Sequence, residues 1–221
     1  TAYGAHDSLG GNNATNDMVV SYINEGYGIV NYRGHGVITG WRDDWNYQER
    51  EFNYNYVKKL SNTKYPVVFS VACNVGCIFV DTISYMEEPE PPGLGSLNII
   101  YYSKSLLYNF LASRHGAAAF IGASDYTDPR INDVYNLYLY KLLYNENTNY
   151  SLGNLNVAAQ ISTLQYISNS YIQDAMSYIC GGDPSLEIWT DTITKFPQID
   201  VTYDNGILRV DARTIENYTL T

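Results

Sequence analysis

The chain has 221 residues, 45% of them hydrophobic and 16% charged, so it can bury a sizeable core, which argues against a disordered protein. Its net charge of −10 and pI near 4.6 argue against nucleic acids and anionic membranes as partners. No apolar run reaches the roughly 18 residues that a membrane-spanning helix needs.

The first predicted element is a short amphipathic helix. Apolar residues recur at spacings of three and four over residues 18–23, with Asn13 or Thr15 as a polar N-cap and Gly26 as a stop. Residues 27–33 then predict a strand that ends directly before a Gly-His-Gly sequence.

The second predicted strand is an apolar run over residues 67–72, which ends at Cys73. A helix over residues 51–61, with Phe52 and Val57 as apolar anchors, is predicted to precede it. Such a run suits a strand that is buried on both faces, as in a parallel sheet covered by helices.

The chain continues with the same alternation of strands and helices. The further predicted elements are an acidic, proline-rich loop over 82–97, a helix over 98–114, a third buried strand over 117–124, helices over 131–144 and 155–178, and a turn into a final strand over 181–189.

The pattern changes after residue 190, where short alternating segments flank Asp204-Asn205-Gly206 and predict a β-hairpin. We therefore expect an α/β domain over 1–190 and the beginning of a β-rich domain over 191–221. No methionine or hydrophobic leader opens the chain, so we interpret it as a processed or excised piece of a longer protein.

His35 and Cys73 are the candidate chemical groups, because each directly follows a predicted buried strand. Parallel strands end at the same edge of a sheet, where ligand sites form. Neighbouring strands would therefore bring the two residues to one rim. Taken alone, such a histidine is more often a hydrogen-bonded loop residue, and a free cysteine is more often a buried, inert one.

An imidazole beside a thiol can take its proton, and the resulting thiolate can attack a carbonyl carbon. The tetrahedral intermediate needs backbone N–H donors, which Gly36 and Cys73 can supply. The sequence thus predicts a Cys-His dyad with His35 as general base and acid.

Four segments resemble motifs of the gingipain family of clan CD cysteine peptidases. They are NYRGHGVITGW (31–41), VACNVGCIF (71–79), GAAAFIGAS (116–124) and GGDPSLEIW (181–189). The resemblance implies a caspase-like three-layer α/β/α sandwich with a mostly parallel sheet, followed by the start of an immunoglobulin-like β segment. It also implies a cysteine endopeptidase, secreted or at the cell surface, in which His35 and Cys73 form the dyad. It implies no cofactor for the chemistry, and calcium as a candidate structural ion.

The predicted substrate-binding residues are Arg33, Trp41 and Asp128. Arg33 occupies a position that resembles a pocket-lining one, where a cation would repel a basic substrate residue and favour an acidic or neutral one. The alternative is an ion pair between Arg33 and Asp43 or Asp44. Asp128 belongs to a loop that we expect to form another wall of the pocket.

The remaining predictions concern Cys77, His115, the partners of the chain and its alternative functions. Cys77 is predicted to pack in the interior, with a disulfide to Cys73 or a metal site as alternatives. His115 precedes its strand and is predicted to lie on the opposite rim. Besides a protein or peptide substrate, we expect association with an upstream segment of the same precursor. The alternative functions are a degenerate caspase-fold scaffold and a sortase-like transpeptidase.

Overall fold

A computed structural model of the chain describes residues 15–42, 51–78, 104–145, 150–167, 171–188, 190, 199–204 and 207–212. The predicted acidic loop and the first residues of the helix predicted over 98–114 lie outside these ranges. The chain divides into two units, Thr1–Ile188 and Trp189–Thr221.

The described strands are β1 (Ile29–Arg33), β2 (His35–Val37), β3 (Gly40–Arg42), β4 (Phe52–Asn53), β5 (Val67–Val71), β6 (Ala119–Ala123), β7 (Tyr178–Gly182), β8 (Ile199–Asp204) and β9 (Ile207–Ala212). The described helices are α1 (Asn16–Glu25), α2 (Tyr54–Val57), α3 (Leu106–Ala112), α4 (Pro129–Leu143), α5 (Leu152–Leu164) and α6 (Ile172–Met176).

The first unit contains a four-stranded sheet with the order β1-β5-β6-β7. Strands β1, β5 and β6 are parallel, and β7 runs antiparallel to β6. The predicted α/β class with a mostly parallel sheet is confirmed. A second, antiparallel sheet contains β2, β3 and β4.

The central strands β5 and β6 are buried on both faces, which explains why they are apolar without alternation. Val68 and Phe120 pack on one face in a cluster that includes residues of α1, α2 and α3. Phe69 and Ile121 pack on the other face, against α4 and α5. Helices therefore cover both sides of the sheet, and the predicted three-layer arrangement is confirmed.

Helix α1 has the ends that its sequence predicts. The Thr15 side chain accepts a hydrogen bond from the Met18 N–H (3.3 Å), so Thr15 is the N-cap. Gly26 follows with φ 87°, a left-handed conformation that glycine adopts without steric cost.

The helix predicted over 51–61 is wrong in extent. Phe52 and Asn53 form strand β4, and the helix is limited to Tyr54–Val57. Phe52 pairs with Trp41 of β3 and stacks on its ring with centroids 5.0 Å apart, a tertiary contact that local spacing does not reveal.

The final strand of the sheet ends at Gly182, within the GGDPSL sequence, whereas the sequence predicted it after that turn. The helix predicted over 155–178 instead divides into α5 and α6, and β7 begins at Tyr178. A Cβ on Gly181 would lie 2.6 Å from Leu111 Cδ1, so this glycine lets α3 pack closely on the strand.

The second unit contains the predicted hairpin. Strands β8 and β9 pair antiparallel, with Asp204 opposite Ile207. The boundary at residue 190 and the immunoglobulin-like character of this segment stay predictions. Within the described ranges, no helix combines the length and the apolar character that crossing a membrane requires.

Candidate active site

The segments that carry His35 and Cys73 leave the sheet side by side. Arg33, the last residue of β1, lies opposite Val71, the last residue of β5. The Gly34 N–H donates a hydrogen bond to the Val71 carbonyl at 3.4 Å. His35 and Cys73 each follow two residues beyond this pair, so both lie at one rim. Direct contact between the imidazole and the thiol stays a prediction.

Gly36 packs against the backbone of the cysteine segment. A Cβ atom on this buried glycine would collide with the Cys73 carbonyl oxygen, and it would lie 2.8 Å from Ala72 Cβ and 2.9 Å from Val75 Cγ1. Glycine is therefore the residue that allows the two segments to approach this closely. This close approach is compatible with the predicted oxyanion donors at Gly36 and Cys73.

Tyr32 holds the backbone around His35, a role that the sequence did not indicate. Its hydroxyl lies 2.9 Å from the carbonyl oxygen of His35 and 2.8 Å from that of Arg42, and its one proton is shared between these two acceptors. A Cβ on Gly34 would lie 2.5 Å from this hydroxyl, so the glycine leaves space for the phenol. The exposed His35 side chain thus projects from a hairpin whose backbone is held by the Tyr32 hydroxyl.

Trp41 lies in the core, where little of its side chain is accessible, and its predicted contact with substrate stays a prediction. Its side chain is 4% exposed, and its indole N–H donates to Ser70 Oγ at 2.7 Å. The ring also stacks on Tyr32, with centroids 4.7 Å apart. These contacts fit a structural role in joining the β2–β3 hairpin to strand β5.

Cys73 begins a tight turn that is fixed to the end of β6. Asn74 has φ 60°, and its N–H donates to the Asp125 carbonyl at 3.1 Å. The Gly76 N–H donates to the Ala123 carbonyl at 2.8 Å. Cys73, Cys77 and Cys180 are not joined in disulfides, so this structure does not contain the alternative Cys73–Cys77 bond.

Arg33 forms an ion pair, although its partner is a different aspartate from those considered. Its guanidinium lies 2.8 Å from Asp133 Oδ1 and donates to the Pro129 carbonyl at 3.0 Å. Asp43 and Asp44 lie outside the described residues. Arg33 thus offers the rim a cation whose charge Asp133 largely offsets, and it ties β1 to the first turn of α4.

Asp128 is the N-cap of α4, a structural task that differs from the predicted substrate contact. Its carboxylate accepts hydrogen bonds from the Arg130 backbone N–H, Nε and Nη2, all at 2.8–2.9 Å. Chiefly because of the Arg130 side chain, and then its backbone N–H, the pKa of Asp128 is held at about 2, below its ordinary 3.8. A carboxylate so engaged is poorly placed to receive a substrate cation.

Asp128→Ala is expected to lower the free energy of unfolding by about 1 kcal/mol at neutral pH, as loss of an N-cap usually does. The native carboxyl has the lowered pKa, so its charge stabilises the fold fully above pH 3.8 and ceases to do so as the pH falls to about 2. The difference in free energy of unfolding between wild type and Asp128→Ala should therefore shrink in acid. Urea unfolding at neutral pH and at a pH of about 2 measures this difference. Asp128→Asn keeps a capping side chain and is the matched control; an Ala penalty of equal size in acid would contradict this account.

No group of three or more His, Cys, Asp or Glu side chains is arranged to hold a metal ion in the part of the chain that the structure describes. The predicted structural calcium therefore has no candidate ligands there and stays a prediction.

Comparison with known proteins gives a family match and several similar solved structures, two of which are described below. A sequence model of peptidase family C25 matches residues 1–189. The fold is similar to a complex of the pro- and mature domains of Porphyromonas gingivalis RgpB, with TM-score 0.63 and 18% identity over 89% of this chain and 44% of that chain. It is also similar to the Arg-specific cysteine proteinase gingipain R (RgpB), with TM-score 0.59 and 19% identity over 89% of this chain and 43% of that chain. The chain thus spans less than half the length of either relative, and no curated protein matches it.

Proposed function

The chain belongs to peptidase family C25, and from this premise we propose that it is a cysteine endopeptidase with Cys73 as nucleophile and His35 as general base and acid. The observation that carries the proposal is the parallel pairing of β1 with β5, because the residues that follow both strands then share one rim. The close packing of Gly36 on the Cys73 backbone adds support, since it holds together the two backbone segments whose N–H groups are the proposed oxyanion donors.

In the proposed reaction, His35 takes the proton from the Cys73 thiol as the sulfur attacks the carbonyl carbon of the substrate. The carbonyl oxygen becomes an oxyanion that accepts hydrogen bonds from the Gly36 and Cys73 N–H groups. His35 then protonates the leaving amine as the C–N bond breaks, which leaves a thioester. Water, deprotonated by His35, hydrolyses the thioester and releases the acid product.

The substrate pocket is proposed to include Arg33, whose ion pair with Asp133 reduces the charge that it offers. We therefore expect a neutral or acidic substrate residue to be accepted better than a basic one. This expectation differs from the arginine specificity in the name of the relative gingipain R.

We further propose that the protein acts outside the cell or at its surface, consistent with its acidic composition. The relative RgpB forms a complex between its pro- and mature domains. By analogy, we propose that this chain associates with an upstream segment of the same precursor.

A library of peptidyl acyloxymethyl ketones with acidic, neutral and basic terminal residues tests the proposal. The folded, reduced protein should be labelled at Cys73, as located by peptide mass spectrometry, with neutral or acidic members reacting fastest. Cys77→Ala should still be labelled, and Cys73→Ala should not. If no member labels Cys73, the peptidase proposal fails and the alternative of a scaffold module is supported. With a peptide substrate in place of the ketone, transfer of the acyl group from the thioester to an added amine in preference to water would instead indicate a transpeptidase.

A further inference from the structure

The sulfur of Cys73 lies among three polar atoms of one residue, Thr127, on the loop after β6. The Thr127 N–H donates to Sγ at 3.4 Å, and the Thr127 carbonyl oxygen lies 3.5 Å from Sγ, where it can accept the S–H proton. The Thr127 hydroxyl is 3.6 Å from Sγ, and either atom can be the donor. Thr127 is 7% exposed, so water competes weakly for these contacts.

The loop that carries Thr127 is fixed at both ends. The N–H and hydroxyl of Ser124 each donate to the Ser177 carbonyl at 2.9 Å. At the other end, the Asp128 N–H donates to Asp174 Oδ2 at 2.8 Å. Thr127 therefore occupies a defined position beside the sulfur before any substrate binds.

A buried phenol, Tyr178, lies close enough to the Thr127 side chain for that side chain to influence its pKa. The Tyr178 hydroxyl donates to Asn132 Oδ1 at 2.5 Å, so the phenol oxygen can act as an acceptor for the Thr127 hydroxyl. Burial, the largest influence, raises the pKa of Tyr178, which stays protonated at neutral pH.

These contacts give Thr127 a different arrangement for each charge state of the sulfur. The neutral thiol can donate its proton to the Thr127 carbonyl, which leaves the Thr127 hydroxyl able to donate to Tyr178. The thiolate has no proton, and it can accept from both the N–H and the hydroxyl of Thr127. Hydrogen bonds to a charged group are stronger than those to a neutral one, and they favour the charged form.

We propose that Thr127 positions the sulfur of Cys73 and stabilises its thiolate with two hydrogen bonds, in competition with Tyr178 for the hydroxyl proton. The inference rests on the proposed function in taking Cys73 as the nucleophile. The inference adds Thr127 to the proposed dyad as a residue that contacts the sulfur from the loop after β6 and does not act through His35.

The test measures alkylation of Cys73 by iodoacetamide as a function of pH, read by peptide mass spectrometry in the folded protein. Thr127→Val removes the hydroxyl with little change in shape, and it should slow alkylation at neutral pH about tenfold and move the profile to higher pH, as expected for one lost hydrogen bond to a charged group. Thr127→Ser should stay close to wild type. Cys180 is an internal control, because burial raises its pKa to about 11 and it lies away from Thr127 contacts.

Tyr178→Phe is a second variant, and it should shift the alkylation profile in the opposite direction from Thr127→Val. It removes the competing acceptor, so the Thr127 hydroxyl is left to the sulfur and the alkylation profile should move to lower pH. Thermal denaturation establishes that each variant is folded. An unchanged profile in Thr127→Val, or in Tyr178→Phe if the valine variant does not fold, overturns the inference.

Alkylation does not need turnover, so the two proposals fail separately. A profile that depends on Thr127 in a protein that cleaves no peptide would support the positioning role and contradict the peptidase. Normal cleavage with a profile that is indifferent to Thr127 would contradict the positioning role alone.

Discussion

Replacing His35 with alanine is expected to lower kcat/KM for peptide hydrolysis by about 10³-fold, within the range typical of a general acid–base group. The loss should appear mainly in kcat, because the imidazole transfers protons in the transition state and makes little contact with bound substrate. The measurement uses the peptide that corresponds to the fastest-reacting member of the ketone library. The variant should remain folded, because His35 is exposed.

His115 offers a matched control, since it is also followed by glycine. It lies before β6, at the other rim, and its Nδ1 is 2.9 Å from the Asn62 carbonyl oxygen. His115→Ala should therefore cost some stability, about 1 kcal/mol for one hydrogen bond, and leave kcat unchanged. Equal losses of turnover in the two variants would mean that neither histidine is the acid–base group.

Trp41→Ala is expected to lower the free energy of unfolding by about 3–5 kcal/mol, a large part of the stability of an ordinary domain. The substitution leaves a cavity between Tyr32 and Phe52, and it removes the donor to Ser70, whose hydroxyl is fully buried. Urea unfolding measures the change.

Two further variants separate packing from hydrogen bonding at this site. Trp41→Phe keeps most of the ring contacts and should cost about 1–3 kcal/mol, because Ser70 then lacks its partner. Adding Ser70→Ala should recover part of that loss, since both polar groups are then gone. If Trp41→Phe instead raises KM without a loss of stability, the original prediction of a substrate contact is correct.

The sequence predicted the sheet well because its strands carry the signal in their own residues. Strands β5 and β6 are short apolar runs, and burial on both faces demands this composition. The same reasoning placed residues 35 and 73 after strands, and the pairing of β1 with β5 meets the condition that these strands are neighbours. Helix α1 was equally clear, because Thr15 and Gly26 determine its ends locally.

Contacts between distant segments account for what the sequence did not predict. Trp41 has a motif position that suggests substrate binding, yet Ser70 and Phe52 draw it into the core. Arg33 pairs with Asp133, a hundred residues away, and no local pattern selects that aspartate from its neighbours. Thr127 was missed for the same reason, because a threonine in a polar loop carries no signal until the sulfur is beside it.

The position of β7 in the chain also determines when the four-stranded sheet can be completed during synthesis. Strand β6 pairs with β7 along its whole length, but α4, α5 and α6, among the described residues, separate the two in the chain. During synthesis, one edge of an apolar strand thus stays unpaired until residues 178–182 have left the ribosome. Such an edge is a template for association with other chains, and closing it requires a long loop, which slows folding. The nascent protein is consequently most prone to aggregation in the interval between the synthesis of β6 and that of β7.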